Sequence, residues 1–247
     1  MQALILAGGF GTRLRSVLDP AIPKPMATIS GRPFLGYLLA QLRRDGFPDV
    51  VLLTGHRAEA VEAYFGTGDG WDLTVRYSPE PEPLGTGGAL RHALPLLAGE
   101  RFLVMNGDSF LGADLNQLTA AHDRAAAAAG DGVLATLALA RLADGSRFGS
   151  VDVAPDGSLT GFREKAQPAA PGLINAGIYV LERRLIEAIP LGRAVSLERE
   201  VFPTLLDGRL RGVELEGPFV DIGVPESYAA LEADPSILPM AGAGGRS

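Results

Sequence analysis

The N-terminal stretch constrains the fold more than any other part of the chain. Residues 4–7 are an unbroken apolar run that ends at once in Gly8-Gly9-Phe10-Gly11, which reads as a buried strand feeding a glycine-rich turn. Glycines after a parallel strand let the backbone approach a ligand closely, and their N–H groups can cradle phosphate. The turn is not a dinucleotide fingerprint, because the third Gly is missing. It is not a Walker loop either, because no Gly-Lys-Ser/Thr follows. Taken alone, the glycines suit an ordinary strand-to-helix turn better than a phosphate cradle. Arg13, directly after them, adds a fixed positive charge where a triphosphate would lie.

Downstream the pattern repeats. Phe34, Leu35, Leu38, Leu39 and Leu42 fall at helical spacing, and Gly46 stops that helix at about residue 44. Residues 50–54 read as a second apolar strand, 58–65 as a helix, 73–77 as an alternating strand and 87–97 as a helix. Residues 102–105 form a third core strand that ends in Asn106-Gly107-Asp108. This alternation predicts an α/β fold with a Rossmann-like, mostly parallel mixed sheet flanked by helices. The second half changes character. A helix over 115–128 and a strand over 133–139 are followed by short strands at 149–153, 159–163 and 178–181, set off by turns such as Pro155-Asp156-Gly157. These predict a small antiparallel subdomain. Helices are expected at 183–189 and 197–206. The expected organisation is one domain over residues 1–239, in halves of about 1–114 and 115–239, with a flexible Gly/Ala/Ser-rich tail over 240–247.

Composition narrows the function. The formal net charge is -7, which argues against a nucleic-acid binder with its basic face. A few placed cations and a metal can still hold a small polyanion. There is no Cys, hence no disulfide framework and no thiolate chemistry. The N-terminus lacks a basic region and cleavage site, and no apolar run approaches the roughly 18 residues that span a bilayer. A cytoplasmic protein with no membrane partner is the expectation. Of 22 basic residues only two are Lys, Lys24 and Lys165. A compact ammonium and a planar guanidinium are not interchangeable at a tight site, so two survivors in an Arg-rich chain are candidates for function. Prolines on both sides stiffen the backbone around Lys24.

Gly8-Gly9-Phe10-Gly11-Thr12-Arg13-Leu14, with Lys24-Pro25 ten residues after Leu14, resembles the signature of the sugar-1-phosphate nucleotidyltransferases. The resemblance runs over nearly the whole chain. Residues 80–88, Glu80-Pro81-Glu82-Pro83-Leu84-Gly85-Thr86-Gly87-Gly88, resemble that family's base-binding loop. Asn106-Gly107-Asp108 resembles its metal-binding strand end, and Phe162-Arg163-Glu164-Lys165 its second lysine motif. Asn175-Ala176-Gly177-Ile178-Tyr179 resembles its sugar-binding segment. Phe219-Val220-Asp221-Ile222-Gly223-Val224-Pro225 resembles its second metal-ligand segment, with Val224 where the family usually has Thr.

The resemblance implies a sugar 1-phosphate attacking the α-phosphorus of a nucleoside triphosphate and expelling pyrophosphate. It implies a nucleotide-binding first half and a sugar-phosphate-binding second half. Asp108 and Asp221 would hold Mg²⁺, which is usually bound through one or two carboxylates plus phosphate oxygens and water. Lys24 would steady the triphosphate, Arg13 the leaving pyrophosphate, and Lys165 the phosphate of the sugar. Leu6, Gly8, Gly9, Gly11, Thr12, Gly85 and Thr86 would line the nucleotide site, and Glu164 and Asn175 would meet sugar hydroxyls. A phosphate dianion is already a nucleophile, so no general base is required. His56, His92 and His122 lie outside the motifs and read as structural. Ser196-Leu197-Glu198-Arg199-Glu200 reads as a helix capping box rather than as catalytic.

Within the family the chain looks most like the D-glycero-α-D-manno-heptose 1-phosphate guanylyltransferases, short enzymes without a C-terminal β-helix. The mannose-1-phosphate guanylyltransferases are the near alternative, and uridylyl- or thymidylyltransferases come next. Guanine presents two adjacent donors, and a carboxylate offers two acceptors spaced to take both. Uracil and thymine present an N–H between carbonyls and suit an amide better. Glu80 is therefore the expected base reader, with Glu82 as competitor and GTP as the expected triphosphate. A silent, nucleotide-sugar-binding homologue is the alternative from another class. Retention of both metal carboxylates together with Arg13, Lys24 and Lys165 argues against it.

Overall fold

The computed structural model describes residues 1–9, 14, 22–129, 132–143, 148, 150–163 and 171–239. The first apolar run forms β1 (Gln2–Ala7). After it come a small hairpin, β2 (Thr28–Ile29) and β3 (Arg32–Pro33), then α1 (Phe34–Arg44), β4 (Asp49–Thr54), α2 (Ala58–Phe65) and β5 (Thr74–Pro79). Next are α3 (Gly85–Ala93), β6 (Arg101–Asn106), β7 (Ser109–Leu111) and α4 (Leu115–Ala129). The remainder supplies β8 (Ala135–Leu142), β9 (Ser150–Val153), β10 (Leu159–Arg163), β11 (Gly172–Glu182), α5 (Arg183–Glu187), β12 (Leu210–Glu214), β13 (Phe219–Asp221) and α6 (Pro225–Ala233).

Seven of the strands build one sheet in the order β12-β8-β11-β6-β1-β4-β5. β6, β1, β4 and β5 are mutually parallel, and β12 is parallel to β8. β11 pairs antiparallel with both β6 and β8 and so runs against the other six. This is the mostly parallel mixed sheet that the alternating pattern predicts. Successive strand residues face opposite sides, and both sides are covered. Ile5, Leu52 and Leu103 pack with Phe34, Leu35, Leu38 and Leu39 of α1. Leu4, Val51 and Val104 pack with Ala89 and Leu90 of α3 and with Phe202. Burial on both faces explains why the strands read as continuous apolar runs rather than alternating ones. Each fully buried Leu or Phe contributes about 1.5–3 kcal/mol.

The antiparallel character expected in the second half is divided. β9 and β10 form a two-stranded antiparallel sheet, and β7 pairs antiparallel with β13. The strand expected at 178–181 is instead the long β11, which belongs to the central sheet and carries a register shift between Asn175 and Tyr179. The helix expected over 197–206 is a π-helical turn (Leu197–Val201) running into a 3-10 turn (Phe202–Leu205). Pro203 has no N–H to continue an α-helical ladder there. No helix among the described residues is long and apolar enough to cross a membrane.

Candidate functional site

The loops that follow β1, β4, β5 and β6 all leave the same edge of the sheet, because those four strands are parallel neighbours. β1 has β4 on one side and β6 on the other, so the chain reverses its direction of travel across the sheet there. Open α/β sheets bind ligands outside the carboxyl ends of the strands at such a point. A cleft of about 270 Å³ lies there, lined by Leu6, Gly8, Gly9, Lys24, Glu80, Gly85, Thr86 and Asp108 of the expected site residues. Pro25, Pro83, Ala89, Asn106 and Gly107 complete much of its wall.

Gly8 and Glu80 meet across the strand ends. A Cβ on Gly8 would lie 2.1 Å from Glu80 Oε1, and one on Gly55 would lie 2.6 Å from the Gly8 carbonyl oxygen. The missing side chains are therefore what allow the loops after β1 and β4 and the Glu80 carboxyl to converge. Glu80 is tied down at both ends. Its N–H donates to the Thr54 carbonyl at 2.7 Å, and its Oε2 accepts from Leu84 N–H at 2.9 Å. Burial pushes the carboxyl above its usual range, partly offset by the Leu84 N–H bond and by His92. Glu82 is exposed and lines a neighbouring groove with Gly55, His56, Glu80 and Pro83 instead of the cleft.

Lys24 opens a 3-10 turn behind Pro23 and is 9% exposed. Its Nζ lies 2.5 Å from Asp108 Oδ2, while Ser109 Oγ donates to Asp108 Oδ1 at 3.2 Å. Asp221 reaches the same place through sheet register. It pairs with Ser109 across the β13–β7 ladder, and Ile222 N–H donates to the Asp108 carbonyl at 2.9 Å. Asp221 Oδ1 accepts from Gly223 N–H at 2.9 Å. Two carboxylates more than 100 residues apart in sequence thus sit on adjacent strand ends. Among the described residues no group of three or more metal-ligating side chains occurs. Two hard oxygen donors suffice for Mg²⁺, which keeps several waters and takes phosphate oxygens, so this donor set fits it.

The remaining expected residues divide. Thr86 is in the cleft wall, but its one hydroxyl proton goes to Glu198 Oε2 at 2.9 Å, and its oxygen accepts from Leu197 N–H at 2.8 Å. Asn175 is not in the wall of the cleft. Its Oδ1 accepts from Gly177 N–H at 2.9 Å and its Nδ2 donates to Tyr179 Oη at 3.1 Å. Gly11, Thr12, Arg13, Glu164, Lys165 and the tail over 240–247 lie outside the described residues. His122, fully buried between Thr136 and Glu182, and His92, on the Pro79 carbonyl, have structural partners. Asn106 was not singled out by its side chain, yet it lines the cleft and keeps a buried Oδ1 without a hydrogen-bond partner. Its place in Asn106-Gly107-Asp108 was the available signal.

Comparison with known proteins agrees with this geometry. The family model described as "Nucleotidyl transferase" matches residues 2–236. The chain is 39% identical over 237 residues to a mannose-1-phosphate guanylyltransferase of Mycobacterium tuberculosis, covering 95% of this chain and 64% of that one. It is 36% identical over 228 residues to a D-glycero-α-D-manno-heptose 1-phosphate guanylyltransferase of Campylobacter jejuni, covering 92% of this chain and 97% of that one. The crystal structure of HddC from Yersinia pseudotuberculosis complexed with GMP-PN superposes with a TM-score of 0.79 at 30% identity, over 94% of this chain and 98% of that chain. A family match across nearly every described element, on a cleft lined by Gly8, Gly9, Lys24 and Asp108, leaves one conclusion: the chain belongs to the nucleotidyl transferase family.

Proposed function

We propose that the protein is a guanylyltransferase that joins GTP to a manno-configured sugar 1-phosphate, D-glycero-α-D-manno-heptose 1-phosphate before mannose 1-phosphate. The observation that carries the reading is the Glu80 carboxyl, fixed by Leu84 N–H and lying over Gly8 inside the same cleft as Lys24 and Asp108. A carboxylate there accepts from guanine N1–H and the N2 amino group, whereas the carbonyls of uracil or thymine would be repelled by it.

In the reaction an oxygen of the sugar phosphate forms a bond to the α-phosphorus of GTP, the bond from that phosphorus to the β-phosphate oxygen breaks, and pyrophosphate leaves. Such transfers need positioning and charge stabilisation more than covalent chemistry by the protein. Gly8 and Gly9 bring backbone close to the phosphates, and the Lys24 ammonium steadies the triphosphate. Arg13 is assigned to the leaving pyrophosphate, Lys165 to the phosphate of the sugar, and Glu164 and Asn175 to its hydroxyls, with Asn175 needing to release one of its present bonds. Asp108 and Asp221 would hold Mg²⁺, which supplies charge neutralisation of phosphoryl oxygens.

The heptose preference is supported by similarity along 97% of the Campylobacter jejuni protein. The second reading, mannose 1-phosphate, is favoured by the 39% identity to the mycobacterial protein, although this chain spans 64% of that protein's length. A matrix of four nucleoside triphosphates against several sugar 1-phosphates, read as pyrophosphate release with Mg²⁺, tests both. Preference for UTP or dTTP would overturn the base assignment. Equal or better kcat/KM with mannose 1-phosphate would overturn the heptose. No release with any pair would leave a nucleotide-sugar-binding protein.

A further inference from the structure

Glu198, half-buried on the π-helical turn, gathers three hydroxyl groups on one carboxylate. Oε2 accepts from Thr86 Oγ1 and from Ser196 Oγ, each at 2.9 Å, and Oε1 accepts from Tyr179 Oη at 3.2 Å. Thr86 stands in the first turn of α3, in the wall of the cleft. Tyr179 is fully buried on β11 and accepts from Asn175 Nδ2 in turn. Its phenol is held well above the usual range by burial and by the Glu198 charge, so it stays a donor. A capping box explains only part of this. Ser196 Oγ does accept from Arg199 N–H, but it is Glu200, not Glu198, that reaches back to Ser196 N–H. Glu198 is left free to face the other way, towards Thr86 and Tyr179.

The backbone around Glu198 grips the same loop. Val195 N–H donates to the Leu84 carbonyl at 2.8 Å, and the Val195 carbonyl accepts from Gly87 N–H at 2.8 Å. Gly85 adopts φ +68°, and a Cβ there would lie 2.6 Å from the Val195 carbonyl oxygen. Leu84 is also the residue whose N–H fixes Glu80. The segment 193–200, from the second half of the chain, therefore sets the position of the loop that carries Gly85 and Thr86 in the first half.

We propose that Glu198 is a positioning residue that couples the nucleotide-side loop of the cleft to the Asn175–Tyr179 part of β11. One carboxylate oxygen holds the nucleotide-side loop through Thr86, and the other holds the Asn175–Tyr179 part of β11 through the Tyr179 phenol. The inference rests on the guanylyltransferase reading above. The turn aims a carboxylate at three hydroxyls that an amide could satisfy only in part.

The test compares wild type with Glu198→Gln, Thr86→Val and Tyr179→Phe in steady-state guanylyl transfer, with thermal unfolding recorded for each. Glu198→Gln should raise KM for both GTP and the sugar 1-phosphate by about 10-fold, with kcat falling less than about threefold, as loss of charged hydrogen bonds implies. Thr86→Val should raise KM for GTP alone, and Tyr179→Phe KM for the sugar 1-phosphate alone. Glu198→Asp, which keeps the charge, should recover part of both effects. A merely structural Glu198 would lower the unfolding temperature and the amount of active enzyme without moving either KM, and that outcome overturns the proposal. So does a Glu198→Gln variant that shifts one KM only. Wild type is assayed first against all four triphosphates. If GTP is not the preferred one, the guanine reading fails by itself, and the same split is then measured with the preferred nucleotide.

Discussion

Lys24 Nζ and Asp108 Oδ2 stand 2.5 Å apart, the lysine side chain 10% exposed and the aspartate 34% exposed. The two groups were assigned separate tasks, one on the triphosphate and one on the metal, yet they neutralise each other in the cleft. A pair with one partly exposed member is worth less than a fully buried one. Its significance is that neither charge needs to be created or desolvated anew when phosphates arrive, since each exchanges one counter-charge for another.

Asp108→Asn leaves the Lys24 ammonium without its partner. The expected cost is about 1–2 kcal/mol of stability, reduced from the figure for fully buried pairs because Asp108 is partly exposed, together with loss of most turnover. Asp221→Asn should abolish most turnover too, because an amide is a poor Mg²⁺ ligand. Combining Asp108→Asn with Lys24→Met should return stability towards wild type in urea unfolding while leaving the enzyme inactive. Near-normal kcat for both single Asn variants at saturating Mg²⁺ would remove the metal assignment.

Lys24→Ala should mainly damage use of GTP, and Lys165→Ala use of the sugar phosphate. Loss of one charge-assisted contact of ~1.5–3 kcal/mol corresponds to roughly 10- to 150-fold. Initial rates with each substrate varied in turn separate the two. Identical KM changes for the same substrate in both variants would show that the lysines do not divide the work.

The raised Glu80 carboxyl makes a prediction about pH. Its folded pKa lies above the ordinary 4.5 through burial, so the folded state binds the proton more tightly than the unfolded chain. The associated stability is present below about pH 4.5 and is lost as pH rises through the folded value. Glu80→Gln removes the titration, so wild type should lose stability relative to this variant as pH rises from about 4.5 through the folded value. Guanine needs the ionised form, so GTP should bind wild type more tightly as pH rises over the same range. Glu80→Gln should cut kcat/KM for GTP by about 10-fold or more and cost UTP or dTTP little. GTP use unchanged in Glu80→Gln but destroyed in Glu82→Gln would move the reader two residues along.

Gly8→Ala attacks the same assignment from below. The new Cβ would fall 2.1 Å from Glu80 Oε1, whereas the nearest backbone atom, Gly55 N, is 3.5 Å away. The far end of a side chain must yield, not the sheet. The unfolding temperature should change by only a few degrees, while discrimination of GTP against UTP should shrink by about 10-fold, as for loss of a charged hydrogen bond. Unchanged discrimination would mean that Glu80 does not read the base from its present place.

Much of this was legible in the residues. α1 and α2 fall on the expected bounds of 34–44 and 58–65, because an apolar stripe and a glycine stop are local signals. The convergence of Gly8, Lys24, Glu80 and Asp108 followed from motifs that each sit at a strand end or turn. Three things were not legible. β12 is short, with Arg211 and Glu214 among its five residues, and only pairing with β8 makes it a strand. The full length of β11 was hidden because Asn175-Ala176-Gly177 breaks its register. Glu198 reads as a cap locally, and its partners Thr86 and Tyr179 are 112 and 19 residues away. Long-range hydrogen bonds leave no period in a sequence.

The reversed strand has a consequence for how the chain can be divided. β11 is the sole seam between the four first-half strands and the β8–β12 pair in the central sheet, and β7 adds a second seam to β13. A cut near residue 114 would strip β6 and β11 of their mutual hydrogen bonds and expose two sticky apolar margins. The pieces 1–114 and 115–239 should therefore aggregate when made separately, yet reassemble into an active heterodimer when made in the same cell. Such a split enzyme would report, by regained pyrophosphate release, any event that brings its two tethered pieces together.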